Sequence, residues 1–85
     1  MLFEPASAET QHRLRRVASK LLGEEVHYHT EYRGLGVAGA TVRSVGLGEI
    51  LSVTDQHIIF TGVHGEEVIG LGNLRSLDID AGAGP

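Results

Sequence analysis

The chain of 85 residues contains no cysteine, which excludes disulfide staples, thiolate zinc sites and cysteine nucleophiles. Long apolar runs are missing too. The longest uncharged apolar stretch, Gly34 to Val42, is about half of the roughly 20 residues that a membrane-crossing helix needs. At the N-terminus Glu4 and Pro5 stand where a signal peptide would carry a basic and then an apolar region. A soluble, cytoplasmic protein is therefore expected, and the lack of cysteine fits a reducing compartment. Basic residues are scarce outside one segment. Residues 1–23 hold Arg13, Arg15, Arg16 and Lys20 against Glu4 and Glu9, whereas residues 24–85 hold Arg33, Arg43 and Arg75 against nine acidic residues. Phosphate backbones are bound by neutralising them with Lys and Arg, so nucleic acid and anionic membranes are not expected partners of the acidic body.

A chain of this length makes one domain. Its core supplies only roughly 3 to 5 kcal/mol of net stability, and without disulfides or a metal, self-association is the natural support. A homo-oligomer is expected. Residues 1–6 read as a mobile leader, residues 7–80 as the domain, and residues 81–85, AGAGP, as a disordered tail with nothing to bury.

The first element is a helix over residues 7–22. Ser7 is suited to the N-cap, Glu9 to the positive end of the helix dipole and Gly23 to a left-handed C-terminal position. Leu14, Val17, Ala18, Leu21 and Leu22 recur at three- and four-residue spacing and form its inner face. Arg13, Arg16 and Lys20 make a positive stripe on the other side, with Arg15 at its flank. Such a stripe is either a solvated helix face or a contact surface for an acidic partner.

Strands follow, within residues 25–79. Glu25 to Tyr32 alternates, with Val26, Tyr28 and Thr30 on one face and His27, His29 and Glu31 on the other. Ala40 to Val45 reads as a second strand, broken by Gly46-Leu47-Gly48. Ile50 to Val53 and His57 to Phe60 then read as a hairpin around Thr54-Asp55-Gln56. Gly62 to Gly65 reads as a flexible loop before strands at Glu66 to Leu71 and Leu74 to Ile79. Twelve glycines, about twice the usual share of roughly 7%, suit strand ends and bends in a curled sheet. The expected fold is mainly β (α+β): an N-terminal helix followed by a strongly bent antiparallel sheet or small barrel of five to six strands, with the helix covering its open side.

Chemistry-bearing patterns are sparse. Gly34 to Gly39, GLGVAG, satisfies G-x-G-x-x-G, but strand-prone residues follow it where the dinucleotide motif needs a helix. No cofactor is expected. His27 and His29 share a strand face at a spacing that two metal ligands can use, yet no third ligand lies nearby in sequence, and no metal site is assigned. The neighbours Glu24-Glu25 and Glu66-Glu67 point to opposite faces on strands, and Ser44, Ser52 and Ser76 lack a nucleophile context. An enzyme is not expected.

The segments Leu22-Gly23-Glu24-Glu25-Val26, Gly48 to Phe60 (GEILSVTDQHIIF) and Val68 to Ile79 (VIGLGNLRSLDI) resemble bacterial pleckstrin-homology-like and GRAM-type domains over roughly residues 22–79. That resemblance implies a curled antiparallel barrel. It also implies a C-terminal helix, for which this chain has no segment, so the N-terminal helix is expected to do the covering, in its own subunit or in a neighbour. Lipid-binding members use a basic cluster at the first hairpin loop, where only Arg33 and Arg43 stand here, amid acids; phosphoinositide binding is not expected. The Gly48-Glu49-Ile50 to Asp55-Gln56 segment is also similar to Sm-like barrels, which place a helix before five bent strands and form rings, although Thr54 is one residue more than that pattern has. That likeness would make the basic helix an RNA-facing element. The functional expectation is a non-catalytic binding or assembly module acting through protein–protein contacts, with an Sm-like RNA-binding ring, and then a ligand binder or enzyme at the barrel mouth, as alternatives. Candidate binding residues are Arg13, Arg16, Lys20, Arg33 and Arg43.

Overall fold

The structure is a computed structural model that describes residues 3–34 and 40–79. One helix, α1 (Ala8–Lys20), precedes five strands: β1 (Glu25–Arg33), β2 (Thr41–Val53), β3 (His57–Gly62), β4 (Gly65–Gly70) and β5 (Leu74–Ile79). The strands form one antiparallel sheet in the order β4-β3-β2-β1-β5. The mainly β, helix-first fold is thus as expected, and the sheet is bent but not closed.

Local chemistry accounts for the helix limits. The Ser7 side chain accepts the Thr10 amide at the N-cap, satisfying one of the orphan donors of the first turn. At the other end Leu21 caps α1, and Gly23 takes φ +81°, a conformation that costs side-chain-bearing residues. The Gly23 amide then donates to Ile50 O at 2.9 Å and the Ile50 amide to Glu24 O at 3.1 Å, so the chain leaves the helix directly onto the sheet. Leu14 and Ala18 are buried, and α1 packs on β5 and β2.

In β1, Val26, Tyr28 and Thr30 are buried while Glu25, His29 and Arg33 are exposed, the alternation expected of a half-buried strand. The central strand differs from expectation. Gly46-Leu47-Gly48 does not break it: β2 runs through for 13 residues. Thr41 to Glu49 pair with β1, and Ile50 to Val53 pair with β3 across a register shift between Ile50 and Ser52. Two predicted strands are therefore one, which carries the chain across the bend of the sheet.

The two glycines are there for close approach. A Cβ on Gly46 would lie 2.3 Å from Cζ of Tyr28, and one on Gly48 would lie 1.9 Å from the Thr61 carbonyl oxygen. Glycine is the only residue that lets the aromatic ring, or the neighbouring backbone, occupy that space. Near the second of them the Glu49 amide is satisfied by Thr61 Oγ1 at 3.1 Å.

The β2–β3 hairpin is organised by Thr54. Its amide donates to His57 O at 2.8 Å, and its Oγ1 accepts from the amides of Gln56 and His57 at 3.3 and 3.0 Å, an ST-turn. Gly62 to Gly65, expected as a flexible loop, is a tight turn in which Gly62 pairs with Gly65. The core gathers Leu14 and Ala18 from the helix with Val26, Tyr28, Ile50, Ile58, Phe60, Ile69 and Leu74 from the sheet and Leu71 from the β4–β5 turn.

Residues Phe3 to Ala6 lie against the start of β5. The Ala6 amide donates to Gly72 O at 2.9 Å, Arg75 Nη2 donates to Glu4 O, and the Arg75 guanidinium sits 5.6 Å over the Phe3 ring, within cation–π range. The expectations for residues 1–2 of the leader, for most of the GLGVAG loop and for the 81–85 tail lie outside the described residues.

Candidate functional site

Three surfaces carry the polar and unpartnered groups. The first is a trough of about 590 Å³ on the concave side of the sheet, between the β1–β2 and β3–β4 halves. Its floor is set by alternation along β1, which turns Tyr28, Thr30 and Tyr32 to the same side, with Ser44 and Gly46 of β2 opposite Thr30 and Tyr28. Thr30 is the buried polar residue among the described residues, and its hydroxyl reaches Ser44 O only at 3.5 Å. The Tyr28 ring stacks on Phe60 with centroids 4.0 Å apart. Its Oη donates to Oε2 of Glu67, which comes from β4. Burial first, and then the bond to the Glu67 carboxylate and its negative charge, hold the Tyr28 hydroxyl protonated well above the ordinary phenol range.

The second surface is the pair of sheet edges. Among the described residues β4 pairs only with β3, and β5 only with β1. Each edge strand is six residues long, and each carries an exposed apolar side chain, Val68 at 61% and Ile79 at 62% exposure.

The third is the outer side of α1. Arg13, Arg16 and Lys20 line one shallow groove with Glu9, His12 and Val17, and none of the three cations makes an ion pair or hydrogen bond with a described residue. Arg15, at the flank, differs: it reaches Asp55 of the hairpin turn at 3.3 Å. The remaining predicted residues lie elsewhere. Arg33 ends β1, and Arg43 faces Glu31 at 3.4 Å on the outer side of the sheet, where Glu31 also takes Arg75 at 3.2 Å. The helix stripe lines one groove and Arg43 another, so the five candidate residues are not one site.

Comparison with protein-family models, with curated proteins and with solved structures finds no match.

His27 and His29 share the convex face of β1, opposite Leu47 and Val45 of β2. Among the described residues no group of three metal-ligating side chains assembles around them. No helix among the described residues is long and apolar enough to cross a membrane. After the Gly34–Gly39 pattern comes β2 and not a helix, whereas the dinucleotide motif works through a helix N-terminus.

The trough is what sequence reasoning missed. Tyr28 and Glu67 are 39 residues apart and no local pattern joins them. A signal did exist: three hydroxyl-bearing residues, Tyr28, Thr30 and Tyr32, fall on the face of β1 that alternation assigns to the interior.

Proposed function

We propose that the chain is a non-enzymatic assembly module that joins copies of itself through the two edges of its open sheet, β4 of one copy against β5 of the next. The observation that carries this reading is the pair of sheet edges that no further described strand pairs, equal in length and each with one exposed branched apolar side chain. Unpaired strand edges are templates for addition of another strand. Because β4 and β5 are different surfaces, their contact is head-to-tail, and it closes into a ring when the rotation per copy allows. Small size and the lack of disulfides favour such support. Of the two family resemblances, the Sm-like one implies a helix before five bent strands, which is the element order of this chain. Cytoplasmic residence belongs to the same proposal.

Light scattering tests it. The wild-type chain at micromolar concentration should give a mass that is a multiple of the monomer. Val68→Lys, which puts a charge on an edge without touching the core, should give the monomer mass with an unchanged circular dichroism spectrum. A wild-type monomer, or a Val68→Lys protein that still assembles, would overturn the reading.

A second reading rests on the groove lined by the unpartnered Arg13, Arg16 and Lys20: an RNA-binding ring whose basic helix meets the phosphates. It predicts oligonucleotide binding that falls steeply with salt and is lost in Arg16→Glu. Binding that is absent, or indifferent to Arg16, would end it.

A further inference from the structure

We infer that the concave trough is a binding site for a guanidinium group, with Glu67 as the anchoring carboxylate. The site is built where β1 and β2 meet the β3–β4 hairpin. Gly46 makes room for the Tyr28 ring, since a Cβ there would collide with it at 2.3 Å. At the β3–β4 turn Gly62 stands beside Glu67, whose Cδ would be in ordinary contact, at 3.4 Å, with a Cβ at position 62. Tyr28 Oη then holds Oε2 of the carboxylate. Oε1 makes no hydrogen bond to a described residue.

The charge and hydrogen-bonding character of the trough select the ligand. No Lys or Arg lines it, Glu67 is its one carboxylate and His64 its one imidazole, so the trough offers a negative charge and no permanent positive one. The same trough is lined by Thr30, Tyr32 and Ser44, whose hydroxyl oxygens can each accept a hydrogen bond. A guanidinium offers five N–H donors in a flat fork and no acceptor, it pairs with carboxylates through charge-assisted bonds and it stacks on aromatic rings. The volume of about 590 Å³ falls in the range of small-ligand clefts. The same chemistry has two sources, a free small molecule and the arginine side chain of a partner polypeptide.

Titrating the ¹⁵N-labelled full chain separates these possibilities. Methylguanidinium is one arm, a blocked Gly-Arg-Gly peptide the other, and sodium chloride of equal ionic strength the control. Saturable amide shifts are expected at Thr30, Tyr32, Gly46 and Glu67, together with a saturable change in tyrosine emission. Both tyrosines of the chain line the trough and there is no tryptophan to mask them. Saturation with methylguanidinium alone assigns a small molecule, and saturation with the peptide, alone or as well, assigns a partner arginine. Glu67→Gln should weaken binding about tenfold or more, while Asp55→Asn, outside the trough, leaves it unchanged. Should Glu67→Gln fail to fold, Val63 serves instead. It lies on the rim and is 94% exposed, so Val63→Lys should weaken binding and Val63→Glu strengthen it without disturbing the core. Shifts reproduced by sodium chloride, or affinities indifferent to the charge at positions 67 and 63, would overturn the inference.

Discussion

Gly48→Ala adds a single methyl group at the place where β2 crosses the bend, and its cost can be worked from the geometry. The new Cβ would stand 1.9 Å from the Thr61 carbonyl oxygen and 3.1 Å from its carbon. Both are backbone atoms of β3, so no side chain can swing aside; β2 and β3 must part. Parting them strains the Ile50–Phe60 pairing, which joins two of the largest fully buried side chains. Overpacking of a core costs roughly 1–3 kcal/mol, and a clash with fixed backbone belongs at the top of that range. Against a net stability of roughly 3 to 5 kcal/mol for a core of this size, that is most of what holds the fold. Urea denaturation followed by circular dichroism should give a Gly48→Ala midpoint near or below the start of the wild-type transition. Gly23→Ala is the control. Nothing lies within 4 Å of its Cβ, but φ is +81°, so the loss there is conformational and about 1–2 kcal/mol. A Gly48→Ala protein within 1 kcal/mol of wild type would refute the close-approach account of this glycine.

Other outcomes follow from single contacts. The Tyr28 hydroxyl is held protonated in the fold, so above about pH 10, where tyrosine in the unfolded chain loses its proton, the unfolded state binds fewer protons and stability falls as pH rises. Tyr28→Phe should flatten the pH dependence of the urea midpoint between pH 9 and 11, and an unchanged slope would contradict the assignment. Thr54→Ala removes the acceptor of the Gln56 and His57 amides and should cost about 1 kcal/mol, read as a lower melting temperature. Asp55→Asn breaks only the ion pair to Arg15, whose carboxylate side is 94% exposed, and should move the melting temperature by no more than scatter, as exposed pairs usually do.

What could be read from the sequence was whatever the chain writes locally. Val26, Tyr28 and Thr30 alternate as buried β1 requires, Ser7 caps α1, and Thr54 and Ile58 with Phe60 define the hairpin. The failures have one physical source. Gly46 and Gly48 look like punctuation when read alone, yet each is a vacancy needed by a residue distant in sequence, Tyr28 or Thr61. The same holds for the site. The basic stripe of α1 was visible because its residues are three and four apart, whereas the trough depends on the 39-residue separation of Tyr28 and Glu67. The choice between a bent open sheet and a closed barrel stayed open in the sequence, because closure depends on the curvature of β2 as a whole and not on any one segment.

The association proposed through β4 and β5 is tested most directly by amide hydrogen exchange of those two strands, measured at concentrations above and below the one at which the light-scattering mass falls. Edge-to-edge pairing predicts that the alternate amides of Gly65–Gly70 and Leu74–Ile79 that point away from β3 and β1 exchange slowly in the assembled protein and faster on dilution, while the central strand β2 keeps the same protection at both concentrations. Edge amides that exchange at one rate at every concentration would contradict it.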